Sequence, residues 1–363
     1  MFQIGELRIL LSERNQTLHL KRMICVGAAV FGVTASTAVA TASASVSEAG
    51  SSLVYPLASV WASHYTGTSV SVAAGGSSTG IADIGGTGQK PSKDIGASDA
   101  PMTSSQLSED SYSPVEIPWA LSATGIGYNI KGVGAGLKLN GTILAEIYTG
   151  KITTWGNAAI TKLNPHYKAA LTKAGKITPV FRSDGSGDSY AFQNFLYHAA
   201  PKIWTVPAST SFPGTVGQGE NGNAGVAGEV HTNYGTIGYI SAAYLIQENI
   251  HAAAVENAAG NFEFPNAPNI ANAALSNSTI PAQGSSFDGV SIVDPSKHYK
   301  TAYPISTYTY AIVDKSDTPD SISTIQSFLT WATTTGQGLG GALDFVPLPA
   351  KIRTADAALI SSL

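Results

Sequence analysis

An α/β architecture is what this sequence predicts, and three observations predict it. Strand-like and helix-like stretches alternate along most of the chain. Gly–Ser clusters stand at points where a strand pattern gives way to a helical one. The 363 residues, 43% of them hydrophobic, suffice for two ordinary domains with cores of their own.

The elements follow in order. Leu53, Leu57, Val60, Trp61 and His64 recur at helical spacing behind Ser51-Ser52, which can cap. Val70 and Val72 alternate as in a short strand, and Gly75-Gly76-Ser77-Ser78 opens another helix. Asp94 to Ser98 reads as a strand ending at Asp99, and Ile177 to Phe181 as a later one. Arg182 to Gly187 is a turn, after which Phe192, Phe195, Leu196 and Ala199 make a helical stripe. Tyr303 to Val313 is strand-like, and Ile322, Ile325, Phe328, Leu329 and Ala332 mark a late helix. Between about 251 and 300 the chain is rich in Asn, Ala, Ser and Pro with weak periodicity, which predicts a surface excursion.

Only 12% of residues are charged and the formal net charge is -4, with no basic stripe. That excludes a nucleic-acid binder, and the hydrophobic content excludes disorder. Residues 1–44 read as a leader: Lys21-Arg22, an apolar run from Met23 to Val33, then small residues ending Ala42-Ser43-Ala44. The run is too short to span a bilayer comfortably, so export with cleavage is expected. The single cysteine, Cys25, lies inside that run. Met23-Ile24 before it lack the small residues of a lipoprotein signal, so lipid attachment there is not expected. A chain beginning at Ser45 has 16 basic and 22 acidic residues, a net of -6. Any attraction for an anion must then come from local dipoles and donors rather than from the overall field.

Three places share one physical signature: Gly50-Ser51-Ser52-Leu53, Gly76-Ser77-Ser78-Thr79-Gly80 and Arg182-Ser183-Asp184-Gly185-Ser186-Gly187-Asp188. Helix starts present unpaired N–H groups and partial positive charge, glycines admit close approach, and serine hydroxyls donate. Each cluster alone is more often just a cap or a turn. Together, with an Arg beside one and Asp99 after a strand, they outline an anion site.

The runs Ala49-Gly50-Ser51-Ser52-Leu53-Val54-Tyr55-Pro56-Leu57, Gly76-Ser77-Ser78-Thr79-Gly80-Ile81-Ala82, Ile95-Gly96-Ala97-Ser98-Asp99-Ala100-Pro101-Met102 and Arg182-Ser183-Asp184-Gly185-Ser186-Gly187 resemble the phosphate-binding proteins of bacterial phosphate ABC importers, the PstS family. Shorter matches, among them Gly219-Glu220-Asn221-Gly222-Asn223 and Pro347-Leu348-Pro349, extend the likeness over the chain from 45 onward, with actinobacterial members the most similar. The resemblance implies a two-lobe periplasmic-binding-protein fold of type II, with two mixed sheets flanked by helices and the ligand in the cleft. One lobe would hold 45–122 with 301–363 and the other 123–300, joined by two crossing strands. It further implies an exported monomer in the periplasm or at the cell surface, partnered by inorganic phosphate and a membrane permease, with no cofactor and no metal. Carried over by position, Ser52, Leu53, Ser77, Arg182, Ser186, Gly187 and Asp188 would bind phosphate through hydroxyl, guanidinium and backbone N–H groups, and Asp184 would hold Arg182. As a turn-former, Asp184 has an equally simple reading.

Asp99 decides the chemistry of such a site. A carboxylate among donors repels a fully ionised anion such as sulfate and accepts a hydrogen bond only from a ligand that still carries a proton. Its simpler reading is a cap after a strand. Two positions depart from the common pattern: Leu53 stands where Phe is frequent, and Asp188 where many members have Thr. The first leaves a backbone contact untouched; the second replaces a hydroxyl donor by a carboxylate.

Competing functions are a secreted phosphatase, a serine hydrolase acting through Ser186, and a binder of sulfate or molybdate. The seven histidines form no close metal-ligand pair, Asp-Gly-Ser-Gly lacks the spacing of a nucleophile elbow, and no base is tied by motif to Ser186. Catalysis is therefore not expected.

Overall fold

The computed structural model describes residues 45–85, 89–109, 113–282, 285–314, 316 and 319–363. The expected leader, 1–44, with Cys25, lies outside the described residues.

The strands in chain order are β1 (Ser45–Gly50), β2 (Ser69–Ala74), β3 (Ile95–Ser98), β4 (Pro114–Tyr128), β5 (Lys138–Leu139), β6 (Thr178–Arg182), β7 (Gln218–Glu220), β8 (Thr236–Ser241), β9 (His251–Ala252), β10 (Ala254–Glu256), β11 (Phe262–Glu263) and β12 (Ser306–Asp314). Among the described residues the main sheet runs β2-β1-β3-β12-β4-β8-β6-β7, with β9 also on β4; β11, β10 and β5 make a small second sheet. The main sheet is mixed. β1 is parallel to β2 and β3, and β6 to β7 and β8, whereas β12 and β4 run antiparallel to their neighbours.

β4 joins the two parallel groups. Its first part pairs with β12 as far as Ala123, opposite Ser306, and from Thr124 onward it pairs with β8. All of its residues are buried. No sequence pattern marked this strand, because a strand covered on both faces loses alternation, and Pro118, Gly125 and Gly127 read against one. A register shift opposite Thr309 and Tyr310 accommodates Pro118, which has no N–H for the ladder.

The helices are α1 (Tyr55–His64), α2 (Ser77–Asp83), α3 (Ser104–Glu109), α4 (Gly141–Tyr148), α5 (Ala158–Leu163), α6 (Lys168–Ala174), α7 (Gly187–Ala199), α8 (Gly222–Thr232), α9 (Ala242–Gln247), α10 (Ala267–Ala274), α11 (Pro319–Thr333) and α12 (Ala350–Ser361). In α1, Leu57 and Trp61 are one turn apart and both buried; Trp61 packs edge-on against Trp119 of β4 at 5.2 Å. In α7, Phe192, Phe195 and Leu196 are buried, and Phe192 lies 4.8 Å from Tyr239 of β8. This packing fixes the direction in which the start of α7 points.

The stretch from 251 to 300 is not the surface excursion its composition predicts. It contributes β9 to β11 and α10, and it buries Ile270, Phe287 and Ile292. The Phe287 ring packs at a tilt against Tyr310, 5.2 Å between centroids. Polar composition hid a few large anchors whose partners are remote in sequence.

Candidate functional site

The carboxyl ends of β1, β3 and β6 converge, as the ends of parallel strands do around ligand sites in α/β sheets. β1 ends at Gly50 with φ +141°, where a Cβ would stand 2.1 Å from the Ala97 carbonyl oxygen. Only glycine permits this approach, which lets the Ser51 N–H donate to Ala97 O at 2.8 Å. The Gly50 carbonyl in turn accepts the N–H groups of Gly75 and Gly76, at 2.7 and 2.8 Å, and so sets the start of α2. Ser77 opens that helix, Asp99 follows β3, Arg182 closes β6, and Ser186 caps α7 by accepting the Ser189 N–H at 3.3 Å.

One half of the site centres on Asp99, which is 1% exposed. The Ser51 hydroxyl lies 2.6 and 2.5 Å from its two oxygens, and the Ser77 hydroxyl 3.2 Å from Oδ2. Ser77 Oγ also accepts the backbone N–H groups of Asp99 and Gly187, each at 3.0 Å. This hydroxyl therefore ties α2, the loop after β3 and the first turn of α7 together.

The other half centres on Arg182, fully buried at the end of β6. Its Nε donates to Asp184 Oδ1 at 2.7 Å, Nη2 donates to Asp184 Oδ2, and Nη1 donates to Asp188 Oδ2 at 3.0 Å. Asp184 also accepts the Gly222 N–H at 3.0 Å, so it does hold the guanidinium rather than merely shape a turn. Asp188 further accepts from Thr124 Oγ1 at 2.7 Å and from Asn223 Nδ2 at 2.6 Å. Asn223 links this half to the turn before α1, because its N–H and Nδ2 donate to Ser52 Oγ at 3.1 and 3.0 Å.

Two carboxyl groups thus hold one guanidinium, whose charge also acts on Asp99. Burial, then the nearby Asp188 charge, push Asp99 up to about 7, against the pull of Ser51, Arg182 and Ser77. Burial also raises Asp188, opposed by Arg182, Thr124 and Asn223. Asp188 has a cationic partner and two further donors, while Asp99 is bonded by hydroxyls alone, so Asp99 takes up a proton first. Burial would raise Asp184 too, but its bonds to Arg182 and Gly222 win and hold it below the ordinary range. Such an arrangement suits an oxyanion of low charge that brings its own proton. Beside it lies a cavity of ≈ 580 Å³, whose lining includes Ser78, Ala100, Met102, Tyr190 and Thr210.

The expected residues lie together, all of them buried except Asp184, which is half-buried. Leu53 and Gly187 already spend their N–H groups on Ser51 Oγ (3.0 Å) and Ser77 Oγ (3.0 Å). The α1 cluster also differs from the expected helix start, since the turn Ser52 to Val54 precedes the first helical residue, Tyr55. The bond of Ser51 to Asp99 and the bonds of Thr124 and Asn223 had no predicted role. Ser51 and Asn223 stood inside the quoted motifs, whereas Thr124 had no local signal. Among the described residues no group of three or more His, Cys, Asp or Glu is placed to hold a metal, and no helix is long and apolar enough to cross a membrane.

Helix starts gathered at the carboxyl ends of two parallel strand groups that share β4 define a protein of the periplasmic-binding-protein class, type II. A family model described as a PBP superfamily domain matches residues 33–335. The phosphate-binding protein PstS of Xylella fastidiosa is 34% identical over 320 residues, covering 86% of this chain and 84% of that one. PstS of Pasteurella multocida is 32% identical (87% and 89%), and PstS3 of Mycobacterium tuberculosis 28% (79% and 77%), so the likeness is not confined to actinobacterial members. The chain belongs to the PstS family. Among solved structures it resembles a high-affinity periplasmic phosphate-binding protein, PfluDING, bound with phosphate (TM-score 0.66, 21% identity, 86% and 93% covered). A phosphate-bound substrate-binding protein from Clostridium perfringens is also similar (TM-score 0.57, 21% identity, 84% and 100% covered).

Proposed function

We propose that this protein binds inorganic phosphate outside the cytoplasm and delivers it to the membrane permease of an ABC importer. The observation that carries the reading is a buried carboxyl, Asp99, bonded by two serine hydroxyls and subject to the charge of Arg182. The role is binding without turnover, in keeping with the relatives named above. The ligand-binding set is Ser52, Leu53, Ser77, Asp99, Arg182, Ser186, Gly187 and Asp188, with Asp184 supporting Arg182. Ser52 Oγ accepts two N–H groups from Asn223, which fills its lone pairs and leaves its proton for a ligand oxygen. Arg182 uses three of a guanidinium's five N–H groups on Asp184 and Asp188, leaving two. Leu53 and Gly187 would share their N–H groups between the serine hydroxyls and the anion.

In this reading 45–122 with 301–363 form one lobe and 123–300 the other, and the protein acts as a monomer. Residues 1–44 are removed on export and Cys25 carries no lipid; the mass of the exported chain checks both. Calorimetric titration with phosphate and then sulfate tests the function. Phosphate should bind with a Kd of about 1 μM or tighter, which is about -8 kcal/mol. Equal binding of both anions would remove the case for a proton-reading Asp99.

A further inference from the structure

We infer that Ser51 is the positioning residue for anion selectivity: its hydroxyl holds the Asp99 carboxylate as an acceptor, so that the site favours oxyanions carrying a proton. The inference rests on the phosphate reading above and adds a residue that does not itself need to touch the ligand.

Ser51 is 1% exposed and lies between two structures. On one side its Oγ accepts the N–H groups of Leu53 and Val54, at 3.0 and 3.3 Å, in the turn that leads into α1. On the other it meets Asp99 at 2.6 and 2.5 Å. A hydroxyl has two acceptor sites and one proton. With both acceptor sites taken by backbone N–H groups, the proton of Ser51 has only Asp99 to go to, and Ser51 cannot accept a hydrogen from a protonated Asp99. Ser77 is built the same way. The N–H groups of Asp99 and Gly187 fill its acceptor sites and its proton faces Asp99 Oδ2, though at a longer 3.2 Å. The backbone thus orients two hydroxyls as donors to Asp99, and Ser51 makes the shorter bonds.

The charged groups acting on Asp99 are Arg182 and Asp188, and Asp99 in turn raises Glu48 of β1 and Tyr310 of β12. Arg182 alone among them is a cation, and Asp184 and Asp188 already hold it. Without the Ser51 hydroxyl, burial and Asp188 act against a single long bond from Ser77 and a shared Arg182, and the proton moves onto Asp99. A protonated Asp99 donates. A donor suits an unprotonated sulfate oxygen, so the discrimination against sulfate weakens.

The test compares phosphate and sulfate affinities of wild type, Ser51→Ala, Ser51→Cys and Ser51→Thr by calorimetry between pH 5.5 and 8.5. In wild type the phosphate-to-sulfate ratio should rise with pH as Asp99 ionises. In Ser51→Ala the ratio near pH 7 should fall about tenfold and its rise should move to higher pH. Ser51→Cys, which keeps the size but offers only a weak S–H donor, should behave alike and carries the test if the alanine variant does not fold. Ser51→Thr restores a hydroxyl and should restore the ratio. A residue that only caps the turn would weaken both anions equally, leaving ratio and pH profile unchanged, and that result overturns the inference. A wild type without preference for phosphate would instead overturn the functional reading beneath it.

Discussion

Gly187 stands where no side chain fits. A Cβ there would lie 2.4 Å from Asp99 Cβ and 2.7 Å from both Asp99 Oδ2 and Ser77 Oγ. The neighbours are anchored, Ser77 by two backbone N–H groups and Asp99 by two hydroxyls, so they cannot swing aside cheaply. Gly187→Ala should therefore lower phosphate affinity at least about a hundredfold, about 2.7 kcal/mol, measured by the same titration. Sequence alone pointed to Gly187 as a helix start, since a glycine opening a helix after an Arg-Ser-Asp turn is a visible pattern. It did not single out Ser51 over Ser52, because adjacent serines in one turn are equivalent until the direction of each side chain is known. Asn223 had the same difficulty: its three partners, Ser52, Asp188 and Ser241, come from three distant segments.

At the scale of elements, the close packing of α2 on β3 and the long strand β4 matter most. Gly80 and Gly96 face each other so closely that a Cβ on Gly96 would lie 2.0 Å from Gly80 O. This lets the short helix α2 sit low on the sheet and brings Ser77 to Asp99. β4 passes between the parallel groups at Ala123–Thr124, and the chain returns beside it at Ile305 and Ser306, where Thr124 N donates to Ile305 O at 2.9 Å. In the proposed two-lobe reading these two neighbouring strand segments would be the hinge, since a few backbone torsions there move large bodies. Small-angle scattering on the phosphate-free and phosphate-saturated protein should show a smaller radius of gyration with ligand. Identical curves would count against closure about this pair of strands.

Over the whole molecule, several buried acids have raised proton affinity. Asp99 and Glu116 are pushed up to about 7 and Asp356 to about 8, in each case chiefly by burial. Their folded-state values exceed the unfolded ones, so the folded state holds protons that the unfolded chain releases between about pH 4 and the shifted values. The stability these groups contribute is complete below the ordinary carboxylate range and is lost as pH rises to about 8. Asp184, shifted the other way, loses its contribution only below the ordinary range, outside this window. The ligand-free protein should therefore melt several degrees higher at pH 5 than at pH 8.5, by calorimetry or circular dichroism. Saturating phosphate at neutral pH should raise the melting temperature further, because it binds only the folded state. A melting temperature that increases with pH would show that these carboxyls are not buried as the structure has them.

The sequence by itself determined the α/β class, the three Gly–Ser clusters, and Asp99 and Arg182 as their charged partners. These are local matters: periodicity, glycine placement and the residue types an anion requires are written within a few positions of one another. Tertiary structure decided what the local pattern leaves open. It selected β4, whose burial on both faces erased its alternation, and it turned the stretch from 251 to 300 into a packed part of the molecule through Phe287 and Ile292. It also decided which hydroxyl faces which carboxylate, because hydrogen bonds such as Ser51 to Asp99 and Asn223 to Ser52 join residues 48 and 171 positions apart. Bonds over such separations depend on how strands and helices pack together, and no stretch of sequence around either partner encodes them alone.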